Sequence, residues 1–232
     1  MRLDQRIILS LSFFKNALLT YHKRLIRLLM HLVPFKYTIG RGFNNWTMIL
    51  EWIISLVLLS CDLIFIPELI CTFYLLLNRN MRRLTPKENE IKSLLFKSHL
   101  DIPVIMNESA CILTRNGAYA FVSCYLINSC GKISDKTFAH ELIHIYQFSK
   151  FGSPYIIRSL LAQRSKAGYD YGGIEGLNEI LKNKLPATVL NYEQQGDVLA
   201  DYFELIMNPN IKSNYNLQSR KIVYEYICNQ WV

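Results

Sequence analysis

The sequence predicts an α+β protein: a small antiparallel sheet packed on one long helix, further helices after it, and a hydrophobic helical region before it. Three observations carry this. Between residues 110 and 128, ACILTRNGAYAFVSCYLIN, apolar and β-branched runs surround Asn116-Gly117, a pair suited to a tight hairpin turn, so two or three antiparallel strands are expected. After Gly131 the apolar residues return at helical spacing. Ahead of both lies the apolar run Trp46–Leu77.

Each element follows in order. The stretch LTYHKRLIRLLMHL, residues 19–32, alternates basic residues with Leu and Ile and reads as a basic amphipathic helix. Trp46–Leu77 has the length of one membrane span or of a tight helical hairpin, but Glu51, Asp62, Glu68 and Pro67 interrupt it. Two readings stay open: a transmembrane or re-entrant segment, and a helix pair buried against the rest of the protein. A boundary is expected at Asn78–Pro86, giving a hydrophobic region over 1–80 and a second domain over 81–232. Thr85 caps a helix over about 86–97, with Pro86 in its first turn and Glu88 completing a capping box. Ser134 or Asp135 caps the long helix, which runs to about Lys150 ahead of Gly152 and Pro154. Further helices are expected near 155–165, 173–184, 191–207 and 216–229.

With 51% hydrophobic residues, ten Gly and seven Pro in 232, the chain is not a disordered one. Its net charge of +8 is concentrated at one end: residues 1–41 hold eight basic residues against Asp4, so everything from Gly42 onward is close to neutral. Basicity outside the second domain argues against a nucleic-acid reader, which would carry it on the folded domain among aromatic residues. It fits a membrane surface or a docking partner for residues 1–77, and equally a helix with a solvated face. Ile7–Phe14 is too short, and Lys15-Asn16 too unlike a cleavage site, for a cleavable signal. Cys61, Cys71, Cys111, Cys124, Cys130 and Cys228 form no CxxC pair, so they are expected as reduced, buried thiols.

One motif carries chemistry. HELIH, residues 140–144, has the form H-E-x-x-H. Helical residues four apart lie only about 40° apart around the axis, so both imidazoles face one way and can hold a zinc ion. Glu141, one step round, can reach a water at that ion without ligating it, and act as general base. By composition such a match arises by chance roughly once in 200 chains of this kind. Context supports it: Phe138, Leu142 and Ile145 give the helix an apolar back.

Two histidines need a third ligand. Position 150 is Lys150, so a pattern of three histidines fails. Glu193, in NYEQQGDVLADYFEL, is the leading candidate, and Glu175 and Glu179 are rivals. Asp197, four residues after Glu193, shares its face and can accept a hydrogen bond from a ligating imidazole. Gln147 shares the helix face of His140 and His144; it either orients a substrate or water or bonds a neighbouring backbone group. An oxyanion partner could be Tyr169, Tyr171, Tyr192 or Tyr202. His22, His31 and His99 have no ligand-spaced companions and are read as bystanders.

HELIH followed by a downstream E-x-x-x-D helix resembles the zincin metallopeptidases of the gluzincin type. More narrowly, HELIHIYQF (140–148), SLLAQ (159–163), GYDYGG (168–173), NYEQQGDVLADYF (191–203) and RRLTPKENEI (82–91) are similar to a bacterial family of H-E-x-x-H-x-x-Q proteins, often encoded near Rhs-type and contractile-injection-system genes. The resemblance spans about residues 82–230 and leaves 1–80 uncovered. Members usually have Ala where this chain has Gly196, which reads as a small change. The resemblance implies a zinc peptidase-like fold in the bacterial cytoplasm or at its membrane.

The expected function is therefore zinc-dependent hydrolysis of a peptide or amide bond in a peptide or protein substrate. His140, His144 and Glu193 would hold Zn²⁺, Glu141 would be catalytic, and Asp197 and Gln147 would support them. The alternative is a zincin-like binding or toxin-associated scaffold with a structural or vestigial metal site.

Overall fold

The computed structural model describes every residue except 40–45, 79, 98, 112–119, 209, 211–214 and 232. The described residues form ten α-helices and a four-stranded sheet, an α+β architecture. The chain forms two compact units interleaved along the sequence: 1–83, 102–131 and 147–157 in the first, 84–101, 132–146 and 158–232 in the second.

The first unit begins with α1 (Leu3–Leu19), α2 (Tyr21–Ile39), α3 (Trp46–Leu63) and α4 (Ile66–Leu77). No single described helix is long and apolar enough to cross a membrane; Met48–Leu63 and Ile66–Leu77 together are, bent by 68° where Phe65 takes a left-handed conformation and Pro67 follows. Arg6 donates to the carbonyls of Leu75 and Asn78, both at 2.8 Å, and so satisfies the open end of α4.

The sheet holds β1 (Met81–Arg83), β2 (Ile105–Asn107), β3 (Ala120–Ser123) and β4 (Leu126–Ser129), in the order β1-β2-β4-β3. It is mixed and not wholly antiparallel: β1 with β2 and β3 with β4 are antiparallel, while β2 and β4 run parallel. The turn of the β3–β4 hairpin is Cys124-Tyr125, with Cys124 at φ 57°. The Asn116-Gly117 turn expected from sequence lies outside the described residues. Every residue of β4 is buried, and its polar members are bonded: Asn107 Nδ2 donates to Asn128 Oδ1 at 2.9 Å, and Asn128 Nδ2 to Ser123 Oγ at 2.8 Å.

The hairpin is anchored by aromatic rings. Tyr125 stacks on Phe13 at 4.7 Å and takes the edge of Phe148 at 5.1 Å, and the Tyr155 hydroxyl donates to the Val122 carbonyl at 2.7 Å. The expectation of six reduced, buried cysteines is corrected: Cys111 is exposed and forms a disulfide with Cys130. The Ser109–Cys130 bridge brings those stretches together, a tertiary event that a separation of 19 residues does not announce. Cys71, Cys124 and Cys228 are free and buried, and Cys61 is free and half-buried.

The second unit contains α5 (Pro86–Phe96), α8 (Gly173–Lys182), α9 (Tyr192–Met207) and α10 (Tyr215–Cys228). Thr85 Oγ1 accepts from Glu88 N at 3.2 Å while Glu88 accepts from Thr85 N at 2.7 Å, the expected capping box. Two helices run across the division of the chain: α6 (Asp135–Phe151) and α7 (Pro154–Arg164). In the second unit, Phe96 packs 5.5 Å from Tyr146, whose hydroxyl donates to the Trp231 carbonyl.

Candidate metal centre

The site is built from α6, α9 and the segment between α7 and α8. Ser134 Oγ accepts from Thr137 N at 3.0 Å and starts α6, whose back is formed by Phe138, Leu142 and Ile145, all at most 2% exposed. That burial fixes the rotation of the helix, so His140 and His144 share the opposite face.

At the start of α9, Asn191 Oδ1 accepts from Glu193 N and Gln194 N, both at 2.9 Å, while Gln194 Oε1 accepts from Asn191 N at 2.8 Å. This capping box seats Glu193 in the first helical turn, where its carboxylate lies beside the histidines. His140 Nε2 and His144 Nε2 are 3.3 Å apart, and Glu193 Oε2 lies 3.5 Å from the first and 3.6 Å from the second. Donors about 2.0–2.1 Å from zinc at tetrahedral angles stand roughly 3.3–3.4 Å from one another. Three donor atoms thus form one face of a tetrahedron of the right size. Among the described residues, His140, His144 and Glu193 are the group able to hold a metal ion.

Polar neighbours hold this triangle. Asp197 Oδ1 lies 2.9 Å from His140 Nδ1. A carboxylate only accepts, so Nδ1 carries a proton, and whenever the ring is neutral Nε2 presents its lone pair to the centre. Gln163 Nε2 donates to Glu193 Oε1 at 3.2 Å, leaving Oε2 for the imidazoles. Gly196 provides clearance: a Cβ there would lie 2.5 Å from His140 Cε1 and 2.7 Å from both ring nitrogens. At Gly196 the helix backbone therefore approaches the His140 ring closely.

The electrostatics suit a cation. Glu193 is 1% exposed; burial raises its pKa, but the hydrogen bonds to His140 and His144 outweigh this and hold it well below the usual carboxylate range. Burial disfavours a charged His140, yet the hydrogen bonds to Asp197 and Glu193 lift its pKa to about 10. An ionised carboxylate this buried requires a positive partner, which a proton or a divalent ion can supply. Burial pushes the Glu141 carboxyl up, more than the His144 and His140 charges pull it down. Glu141 is 5% exposed, and its Oε2 accepts no hydrogen bond from any described residue. A buried acceptor left open beside two imidazoles is what a water-activating carboxylate requires.

The remaining candidates separate clearly. Glu175 and Glu179 are exposed on α8 and outside the ligand group. Among the tyrosines, Tyr169 is the neighbour of the centre: its ring is 6.0 Å from that of His140, and burial and its hydrogen bond to Glu193 raise its hydroxyl pKa. Tyr171 instead bonds Asp201 and Tyr224, and Tyr192 accepts from Arg158 at 3.0 Å. Gln147 is buried one turn beyond His144 and is not part of the ligand triangle. His31 pairs with Trp52, each ring nitrogen meeting the other's backbone carbonyl. Sequence reasoning assigned no role to Gln163, although it lies within the quoted SLLAQ segment, and none to Gly196 beyond a substitution. Comparison with protein-family models, curated proteins and solved structures found no match to the chain.

Proposed function

We propose that this protein is a zinc-dependent hydrolase of peptide or amide bonds. The observation that carries the reading is the triangle of His140 Nε2, His144 Nε2 and Glu193 Oε2, whose edges of 3.3, 3.5 and 3.6 Å fit a tetrahedral ion. Zinc held there supplies Lewis acidity toward a carbonyl oxygen and toward water. Glu141 takes the proton of the attacking water and delivers it to the departing amine, a role suited to a carboxyl whose pKa burial has raised. Asp197 fixes the ring of His140, and Gln163 fixes the carboxylate of Glu193. Tyr169, the tyrosine beside Glu193, is the candidate donor to the developing oxyanion, supported by its closeness to that carboxylate.

The test is metal content and hydrolysis measured together. Wild type is expected to hold about one zinc per chain, His144→Ala and Glu193→Ala to lose it, and Glu141→Gln to keep it while losing hydrolysis. A wild type without stoichiometric metal overturns the reading. A zinc-loaded wild type that cleaves nothing in a broad peptide library would make the protein a metal-stabilised scaffold instead.

A further inference from the structure

The first four helices bury polar and charged residues beside Phe13, Ala17, Leu59 and Leu75 while many of their large apolar residues face outward. On α1 the buried positions include Arg6 and Ser10, while Leu3, Ile7, Leu11 and Leu18 are each 47–65% exposed. On α2, Arg24 is 4% exposed, whereas Ile26, Leu29, Met30 and Val33 face outward. On α3, Ser55 and Asp62 are buried, with Ile53 and Val57 outside. On α4, Glu68 is fully buried while Ile70, Phe73 and Leu77 are at least half exposed. A helix in water does the reverse.

The inward charges are satisfied within the protein. Arg24 forms a two-pronged ion pair with Glu68, at 2.6 and 3.2 Å, and the Tyr125 hydroxyl donates to the same carboxylate at 2.6 Å. Asp62 accepts from both the backbone N–H and the hydroxyl of Ser153. Charged groups that turn inward and pair, on helices whose outer faces are apolar, are the arrangement that hydrocarbon imposes. The exposed Lys15 and Lys23 on the same helices add attraction for anionic headgroups.

We infer that α1–α4 are embedded in a lipid bilayer carrying anionic headgroups, with the bent α3–α4 pair entering the hydrocarbon. Four successive helices each carry exposed apolar residues, more surface than docking at a single patch would need. This stands independently of the zinc reading.

The experiment is flotation of the purified full chain with phosphatidylcholine vesicles doped with phosphatidylglycerol. The chain is expected to float and to stay bound in high salt. Replacing exposed apolar residues together, Ile7→Glu, Ile70→Glu and Phe73→Glu, should cut the bound fraction by about tenfold or more, with the far-ultraviolet circular dichroism unchanged as the sign of an intact fold. On wild type, lipids with brominated acyl chains should quench tryptophan fluorescence, and Trp46→Phe should remove part of that quenching, since Trp46 is 85% exposed on α3. Release by high salt overturns insertion. A chain that stays off vesicles, as a soluble monomer or as a dimer covering the apolar faces, overturns the inference altogether.

Discussion

The backbone of Gly196 lies against the imidazole of His140 so closely that a methyl group there would fall 2.5 Å from the ring. Glycine inside a helix costs about 1 kcal/mol relative to alanine. In α9 the missing Cβ leaves the room that the His140 ring occupies. Gly196→Ala is expected to displace His140 and weaken zinc binding by about tenfold to a hundredfold, read by competition with a chromophoric chelator. Unchanged affinity would show that the ring has room to move.

Asp197→Asn tests the orientation of the same ring. Asparagine offers either a donor or an acceptor, so it no longer dictates which nitrogen of His140 carries the proton. Zinc affinity should fall about 10–100-fold, with the far-ultraviolet circular dichroism unchanged.

Gln163→Leu removes the donor to Glu193 Oε1. A hydrogen bond to a charged group contributes roughly 1.5–3 kcal/mol, so zinc affinity should drop by about 10- to 100-fold, short of the loss in Glu193→Ala. Equal loss in the two variants would make Gln163 indispensable and not merely supporting.

Glu68→Ala leaves the Arg24 guanidinium buried without its partner. Breaking one side of such a pair costs about 3–5 kcal/mol, whereas replacing both residues with apolar ones of similar volume is often neutral. Thermal unfolding in mild detergent should therefore show a large loss for Glu68→Ala and substantial recovery for Arg24→Met combined with Glu68→Leu.

The disulfide gives a count. The unfolded, unreduced chain should react with a thiol reagent at four cysteines, and at six after reduction. Closing a loop of this length stabilises a protein by about 3 kcal/mol, so the reduced form should unfold at a lower temperature.

How much of this was legible depended on how local each cause is. The helices from Pro86 onward announce themselves by caps and periodicity within a few residues: Thr85 with Glu88, and Ser134 before α6. The approach of Glu193 to the histidines was legible because HELIH demands a third ligand and the four-residue spacing to Asp197 offers a matched support. The parallel pairing of β2 with β4 was not legible, since Ile105–Asn107 is too short for any period to show. Nor was the Cys111–Cys130 bond, or the Gly196 clearance, each of which depends on atoms remote in sequence. The polarity inversion of the first four helices was only half visible. Leu and Ile interleaved with Arg and Lys state that a helix has two faces, and not which of them turns inward.

Glu193, Gly196 and Asp197 all lie within five consecutive residues at the start of α9, the helix that Asn191 caps. Donor, gap and brace are thus mounted on a single rigid segment. A slip of that segment by one residue would withdraw all three at once, so the capacity of the group to hold an ion depends on that register as a whole.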